Sequence, residues 1–528
     1  MPSGGDVGGP EGAMGRGYAD DTVDAGHVDP VVVSDGHVAV LCAAVVFTAA
    51  ATGRAMGGDG AVTGLRGTVA GVLVAIVGVA LAGRLATVGL GPSMRRRTTA
   101  TLVTVGIALV VLTSIRAMVE HSALRDAPEG AVTGWVTLVD DPQPLGGSTR
   151  LIVRHDGRRV EAWLRGRALR LRAEGWEAGD RVQVAGTIVA LDRARARRVA
   201  WQHVVGEVRI DWAGDRLDGS PAHRASNRVR GAIAVAASEL PSPDDTLFRG
   251  LVIGDDREQP PDMLRRFRVS GLSHLTAVSG QNVAYVLAAA GPLIASLGPV
   301  RRWLVTVVLI GWFVMITRFE PSIMRAGVMA IAAASATLTG RERSPLRLLW
   351  ITVIGLLVID PLLVSSVGLW LSAGATAGVA GIGPRLEPGL RVLGRVAPAV
   401  AVTLGAQLGV VLPSLLVFGR LPLSSIPANL LAVPVAGVVM LYGLPAALLA
   451  SAIPPVAPLV MFPARVGVRW VDSVARLAES VEPTSARLAI GIQGVIVVGW
   501  LAVRWVRRRC RSRCLLDTSP DGRAPADR

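Results

Sequence analysis

Lysine is missing from this sequence: all 55 of its Lys and Arg positions are arginine. A GC-rich genome produces that bias. The formal net charge of +15 orients membrane helices by the positive-inside rule and attracts polyanions, and composition does not separate these uses. Cysteine is nearly missing too. Cys42 lies in an apolar block, while Cys510 and Cys514 lie in a basic tail. That excludes a disulfide framework, and with no histidine near the tail thiols it excludes a four-ligand metal centre. Residues 1–36, rich in Gly and Asp, have no basic run ahead of an apolar core. They are expected to be a disordered cytoplasmic leader rather than a cleaved signal peptide. No G-x-x-x-x-G-K-[ST] loop occurs, so nothing in the chain cradles ATP. No cofactor, metal or catalytic residue is expected.

What the sequence does have is apolar length. Just over half of its 528 residues are apolar, gathered in blocks of about 17–25, the length of a helix that crosses a bilayer. The blocks lie at 37–51, 67–90, 98–118, 272–297, 303–316, 322–338, 346–359, 363–380, 396–418, 426–449, 488–503 and, more weakly, 455–468. They predict a polytopic α-helical membrane protein with about 12 transmembrane helices. Arginine runs at 94–97, 301–302, 341–343 and 504–513 alternate as cytoplasmic loops. Both termini are then cytoplasmic in a cell-membrane protein, and that parity requires the weak block.

Residues 129–215 differ in kind. They contain no spanning block but strand-like stretches at 131–139, 150–153, 160–164, 181–191 and 204–210, bounded by Asp141-Pro142, Gly146-Gly147 and Asp156-Gly157. Five short strands predict a small extracytoplasmic β-barrel, OB-like in kind. Between Ala131 and Arg230 there are 18 arginines against 12 acidic residues, which suits either a nucleic-acid surface or a solvated face. Trp135, Trp163 and Trp201 could stack bases or fill the barrel core. Residues 226–240 form an amphipathic stretch suited to the membrane surface. Pro260-Pro261 opens a short helix carrying Arg265, Arg266 and Arg268.

The most specific run is Gly250-Leu251-Val252-Ile253-Gly254-Asp255-Asp256-Arg257, then Ser273-His274-Leu275-Thr276-Ala277-Val278-Ser279-Gly280-Gln281-Asn282. Pro321-Ser322-Ile323-Met324-Arg325-Ala326, Asp360-Pro361-Leu362, Gly405-Ala406-Gln407-Leu408 and Ile426-Pro427-Ala428-Asn429 follow in order. Together these resemble the ComEC competence family of DNA-internalisation channels, over roughly residues 244–451. The resemblance implies import of single-stranded DNA across the cell membrane by a channel domain at 226–505, behind N-terminal helices at 37–118 and ahead of a basic tail at 506–528. It also implies partners: a DNA receptor, a separate nuclease and a cytoplasmic ATP-driven motor. Many members carry histidine where this chain has Asn282, so that histidine's role does not carry over. Many continue into a metallo-β-lactamase-like nuclease domain marked by His-x-His-x-Asp-His. No such cluster occurs before Arg528, and no nuclease activity is expected.

The residues themselves suggest roles. A charge at the position of Arg325 costs about 2.5–3.5 kcal/mol on insertion scales. It either faces a wet interior, where it could fork onto phosphate, or snorkels to an interface. Ser279-Gly280-Gln281-Asn282 is a polar break of the kind tolerated at membrane depth only inside protein or beside a cavity. His274 and Ser279, five residues apart with no carboxylate to orient the histidine, do not make a hydrolytic pair. Gln407 and Asn429 suit pore lining or interhelical hydrogen bonds. Asp255 and Arg257 suit an ion pair at the domain entry, with DNA contact as the other use. The same features would serve a channel or transporter for another solute, or a non-transporting scaffold.

Overall fold

The computed structural model describes residues 34–482, apart from 57–60, 87–91, 126–128, 277–278, 339, 341–343, 420–421 and 423. Three helices open it: α1 (Asp35–Met56), α2 (Ala61–Ala86) and α3 (Pro92–Arg125). α1 packs against both of the others. The arginine run at 94–97, expected as a loop, falls in the first turns of α3 behind Pro92, where proline's fixed φ suits a helix start.

The polar segment folds as β1 (Gly130–Leu138), β2 (Gln143–Leu145), β3 (Ser148–His155), β4 (Arg158–Arg165), α4 (Arg167–Ala173), β5 (Arg181–Ala190), α5 (Arg193–Val199) and β6 (Val204–Leu217). Its mixed sheet runs β1-β5-β6-β4-β3-β2, and β1 pairs again with β3 through Thr137↔Arg154 and Leu138↔Val153. Only β4 and β6 pair in parallel. Alternation sends Val132 and Val136, Leu151 and Val153, Val160, Ala162 and Leu164, Val182 and Val184 to one core, as the period of two requires. Asp156 and Gly157 turn β3 into β4 with φ of 46° and 79°, the mirror-image turn that a two-residue hairpin favours. Gly186 sits where β5 and β6 shift register, so close to the Arg209 carbonyl that any Cβ would collide with it.

Helices follow to the end of the described chain: α6 (Pro221–Ala237), α7 (Asp244–Ile253), α8 (Pro261–Val269), α9 (Ser273–Thr276), α10 (Gly280–Ile294), α11 (Pro299–Ile316), α12 (Pro321–Leu338), α13 (Pro345–Ile359), α14 (Val367–Ala377), α15 (Gly383–Leu390), α16 (Ala397–Phe418), α17 (Ser425–Ala452) and α18 (Ala457–Val481). Against the dozen crossings expected, 6 helical runs among the described residues are long and apolar enough to span: Asp35–Met56, Thr98–Arg125, Pro299–Ile316, Pro321–Leu338, Val367–Phe418 and Ser425–Ala452. Thr68–Ala80 and Pro345–Ile359 are shorter apolar helices. The block at 488–503, the tail at 506–528, the arginine runs at 341–343 and 504–513, and all but the end of the leader lie outside the described residues.

Among the described residues three apolar stretches differ from single straight crossings for physical reasons. The block at 272–297 is interrupted at Ser279, whose backbone is extended, leaving the 15-residue α10. The weak block at 455–468 runs on into polar sequence as α18, whose Asp472 meets Arg266 at 2.6 Å and whose Glu479 meets Arg265 at 2.7 Å. That charged stripe docks α18 on α8, and it is not among the spanning helices. The 52-residue run Val367–Phe418 would measure about 78 Å if straight, over twice a bilayer core. Instead Gly394, at φ 57° and ψ −129°, breaks it, and α16 folds back on α14. Glycines permit the approach. A Cβ on Gly405 would lie 2.7 Å from the Gly378 carbonyl, and one on Gly374 would lie 2.5 Å from that of Gly409. Small residues of this spacing let two membrane helices touch along their backbones.

Candidate functional site

Arg325 lies in the first half of α12 and is 3% exposed. Its guanidinium donates to Ser372 Oγ of α14 at 2.6 and 3.2 Å and to Met329 Sδ at 2.9 Å. Among the described residues no carboxylate pairs with it, so a cation is held in the bundle interior by neutral groups alone. Gly280 explains how it fits: a Cβ there would come within 3.0 Å of the guanidinium and 2.9 Å of Ala326. The polar break and the arginine, 45 residues apart in sequence, are therefore neighbours.

The break is built by its own side chains. Ser279 is extended and caps α10, accepting from the Gln281 N–H at 3.3 Å and donating to Asn282 Oδ1 at 3.1 Å. Asn282, 2% exposed, donates to the Leu251 carbonyl at 3.1 Å, tying the break back to the Gly250–Arg257 run. Gln281 is exposed and donates to the Tyr285 hydroxyl at 2.7 Å. His274 is exposed on α9, its Nδ1 3.2 Å from the Gly271 carbonyl. Its ring bonds that carbonyl while the Ser279 hydroxyl bonds Asn282, so the two do not form a pair.

A second polar group forms where α17 begins. Gln407 donates to Ser425 Oγ at 3.1 Å. Gly271, at φ 72°, presses on the same serine so closely that a Cβ would lie 2.6 Å from it. Asn429 is one turn further along α17, buried, with its Oδ1 unpartnered.

Asp255 and Arg257 belong to a larger assembly. Arg257 grips Asp255 bidentately at 2.6 and 2.7 Å. Asp255 also meets Arg230 of α6 at 3.2 Å. Arg230 reaches Asp141 in the β1–β2 loop at 3.1 Å and donates to the Ile316 carbonyl at 2.9 Å. Asp141 in turn receives Arg318, of the α11–α12 turn, at 2.7 and 3.1 Å, and the Ala178 N–H at 2.9 Å. Burial pushes the Asp141 carboxyl up, but the Arg230, Arg318 and Arg257 charges more than reverse this and hold it below the usual carboxylate range. Asp255 is held well below that range in the same way, by Arg257 and Arg230 against burial. Sequence reasoning missed Asp141, Arg230 and Arg318. The Asp141-Pro142 pair was visible only as a turn.

A second tether joins the two parts of the chain. Asp360, at the end of α13, accepts from the Leu362 N–H at 3.1 Å and lies 2.8 Å from His203 Nε2. The other ring nitrogen of His203 is 3.5 Å from Glu120 of α3. Asp360-Pro361 is thus a docking point as well as a helix end.

Asp140, beside Asp141, is pushed up to about 6, by burial first and then by the Asp141 charge, with Arg159, Arg150 and Arg318 pulling the other way. An unfolded aspartate titrates near pH 3.9. Between about pH 4 and 6 the folded chain therefore holds the extra proton. Stability falls as pH rises through that window, and the loss is complete above it. Asp140→Asn is expected to raise the melting temperature of the purified protein at about pH 8 and to change it little at about pH 4. Equal shifts at both pH values would show that Asp140 carries no such strain.

The three candidate tryptophans are not brought together. Trp135 points outward from β1 with the Arg181 guanidinium 5.7 Å from its ring centroid. Trp163 points outward from β4, beneath Arg195 of α5 at 5.1 Å. Trp201 is half-buried in the turn before His203. The β-domain core uses Trp176 instead.

Comparison with known proteins supplies the context. Residues 251–508 match the family model described as competence protein. The chain is 28% identical over 223 residues to ComE operon protein 3 of Bacillus subtilis (strain 168), covering 40% of this chain and 28% of that one. It is 30% identical over 143 residues to competence protein ComA of Neisseria gonorrhoeae, covering 25% and 20%. It is 28% identical over 211 residues to the protein YcaI of Escherichia coli (strain K12), covering 37% and 28%. These matches span less than a third of each relative's length. No solved structure gives a significant match. The motif order and the family match fall on the same stretch of sequence, and residues 251–508 of this chain are similar to the competence-protein family.

Proposed function

We propose that this chain is a membrane channel that imports single-stranded DNA during competence, with the β domain outside the membrane receiving the strand and the helical bundle conducting it. One relative is named a competence protein and the matching family model carries the same description, which supports a role in DNA uptake. The observation that carries the finer reading is Arg325: a buried guanidinium without an acid among the described residues, set against the Gly280 break. A charge so placed is costly in a membrane bundle and typically marks a substrate path. Phosphate is the anion its fork suits.

The β domain supports the same reading. Omitting the short β2, the pairings β1–β5–β6–β4–β3–β1 return to their start with one parallel pair. Such a circuit of pairings supports reading the mixed sheet as a small barrel of the OB kind, a fold used for oligonucleotides. Ladder hydrogen bonds that close on themselves leave no long free edge.

Deleting the gene is expected to abolish entry of labelled DNA into the cytoplasm, and supplying the chain in trans to restore it. Normal uptake in the deletion strain, with no second copy present, overturns the proposal. A channel for another solute would leave labelled DNA outside whether or not the chain is restored.

A further inference from the structure

The β domain presents two outward faces, and they are not equivalent. On the β3–β4 side, Trp163 lies under Arg195, which is itself held by Glu161 at 2.9 Å and Glu207 at 3.0 Å. Glu161 is also paired with Arg150. Beyond this cluster, the turn carrying Trp201 and His203 is docked on Asp360. A base could reach the Trp163 ring only after Arg195 had left two carboxylates. That side is occupied by the protein itself.

The other face is open. Val132 and Val136 point to the core, so Trp135 between them points out. Val182 and Val184 likewise leave Gln183 and Ala185 facing out. On β6 the register shifts so that Gly186 faces Ile210 while Ala185 faces Trp212, and this bulge turns Trp212 outward although Ile210 and Ala213 are both core. Trp135 is 37% exposed and Trp212 is 48% exposed. Trp135 pairs with Gln183 and Trp212 with Ala185. The two rings therefore flank β5, one strand to either side and two residues apart along it. Strand spacing and rise place them about 12 Å apart, room for one base on each. The Trp212 ring lies over Gly214, where any side chain would displace it. Arg181 stands over Trp135 and offers a cation to a backbone phosphate. Exposed Asp211 sits on β6 beside Trp212.

Resting on the receiving role given above, we propose that the strand is taken up on the outer face of β1, β5 and β6, by stacking of unpaired bases on Trp135 and Trp212, and not on the β3–β4 side. Exposed indoles bracketed by arginine are the chemistry of sequence-tolerant single-strand binding. Double-stranded DNA, with its bases already stacked on one another, has no face to offer them.

The test uses the purified full-length chain in nanodiscs and a fluorescently labelled oligo-dT, read by anisotropy beside an abasic oligomer of equal length. Trp135→Ala and Trp212→Ala are each expected to weaken oligo-dT binding by about tenfold, within the range that single stacking residues contribute. Trp135→Phe should keep most of the affinity. Trp163→Ala should leave binding within about twofold. The wild type should prefer oligo-dT to the abasic strand, and Trp135→Ala should lose most of that preference. Loss of binding in Trp163→Ala with none in Trp135→Ala or Trp212→Ala overturns the face assignment but leaves the receiving role standing. Equal binding of the abasic strand overturns stacking. If the wild type binds neither oligomer, the receiving role fails and this inference fails with it.

Discussion

Replacing Arg325 by glutamine is expected to abolish DNA uptake, a fall of at least about a hundredfold, while the protein still accumulates in the membrane. The guanidinium is buried among Ser372, Met329 and the start of α10 at Gly280, with no acid among the described residues to neutralise it. Such a group contributes nothing to stability that glutamine or methionine could not. A buried charge in a membrane helix costs up to about 2.5–3.5 kcal/mol, so Arg325→Met should leave the purified protein as stable as the wild type or more so. Stability and activity would then move in opposite directions, as expected where a strained group is kept for function. Arg325→Lys retains the charge but not the planar fork and should keep part of the uptake. Labelled-DNA uptake, normalised to membrane abundance, is the measurement. If uptake falls only in proportion to lost protein, Arg325 is a packing residue and the chain is better understood as a scaffold. If Arg325→Met imports DNA normally, the path runs elsewhere.

The polar domain was legible almost residue by residue. The five expected strands lie within a few residues of β1, β3, β4, β5 and β6 at most of their ends, because side-chain alternation and turn residues are local signals. Asp156-Gly157 carried its hairpin in two letters. The membrane half was legible as a class but not as a count. Composition registers apolar length and is blind to a backbone break such as Gly394, or to a return packing such as that of α14 on α16. The α18 segment misled because its first dozen residues are apolar while its later ones carry Asp472 and Glu479.

The candidate site divides along the same line. The residues of the Ser279–Asn282 break and Arg325 stood out one by one as polar groups in apolar surroundings, but nothing local said that they touch. The ion-pair hub was invisible. Asp141 and Arg318 are separated by 177 positions, and pairing over that distance leaves no periodicity to find. Trp212 was overlooked because only the bulge opposite Ala185 turns it outward.

That hidden hub carries the other large expected effect. Asp141→Ala should destabilise the protein by about 3–5 kcal/mol, the cost of removing one partner from a buried ion pair. The carboxylate, 5% exposed, is shared by Arg318 and Arg230 at 2.7 and 3.1 Å, with Arg257 at 3.6 Å. Without it Arg230 and Arg257 are left to Asp255 and Arg318 to Asn227, and the Ala178 N–H loses its acceptor. Three segments lose their common anchor at once: the β1–β2 loop, α6 and the α11–α12 turn. That turn holds Arg318 and Phe319 at φ of 59° and 58°, a left-handed conformation that side chains larger than glycine adopt only when held. Freed of Asp141, it has less to hold it, and α12 with Arg325 begins directly after it. Removing both partners should cost less than the sum, so Asp141→Ala combined with Arg318→Met is expected to be more stable than Asp141→Ala alone, a coupling of the kind shared networks show. Thermal unfolding of the detergent-purified variants measures both. Protease digestion under native conditions should cut the Asp141→Ala protein between the β domain and the bundle while sparing the wild type. An Asp141→Ala protein that melts with the wild type and resists cleavage would mean that the hub carries no weight in joining the two parts.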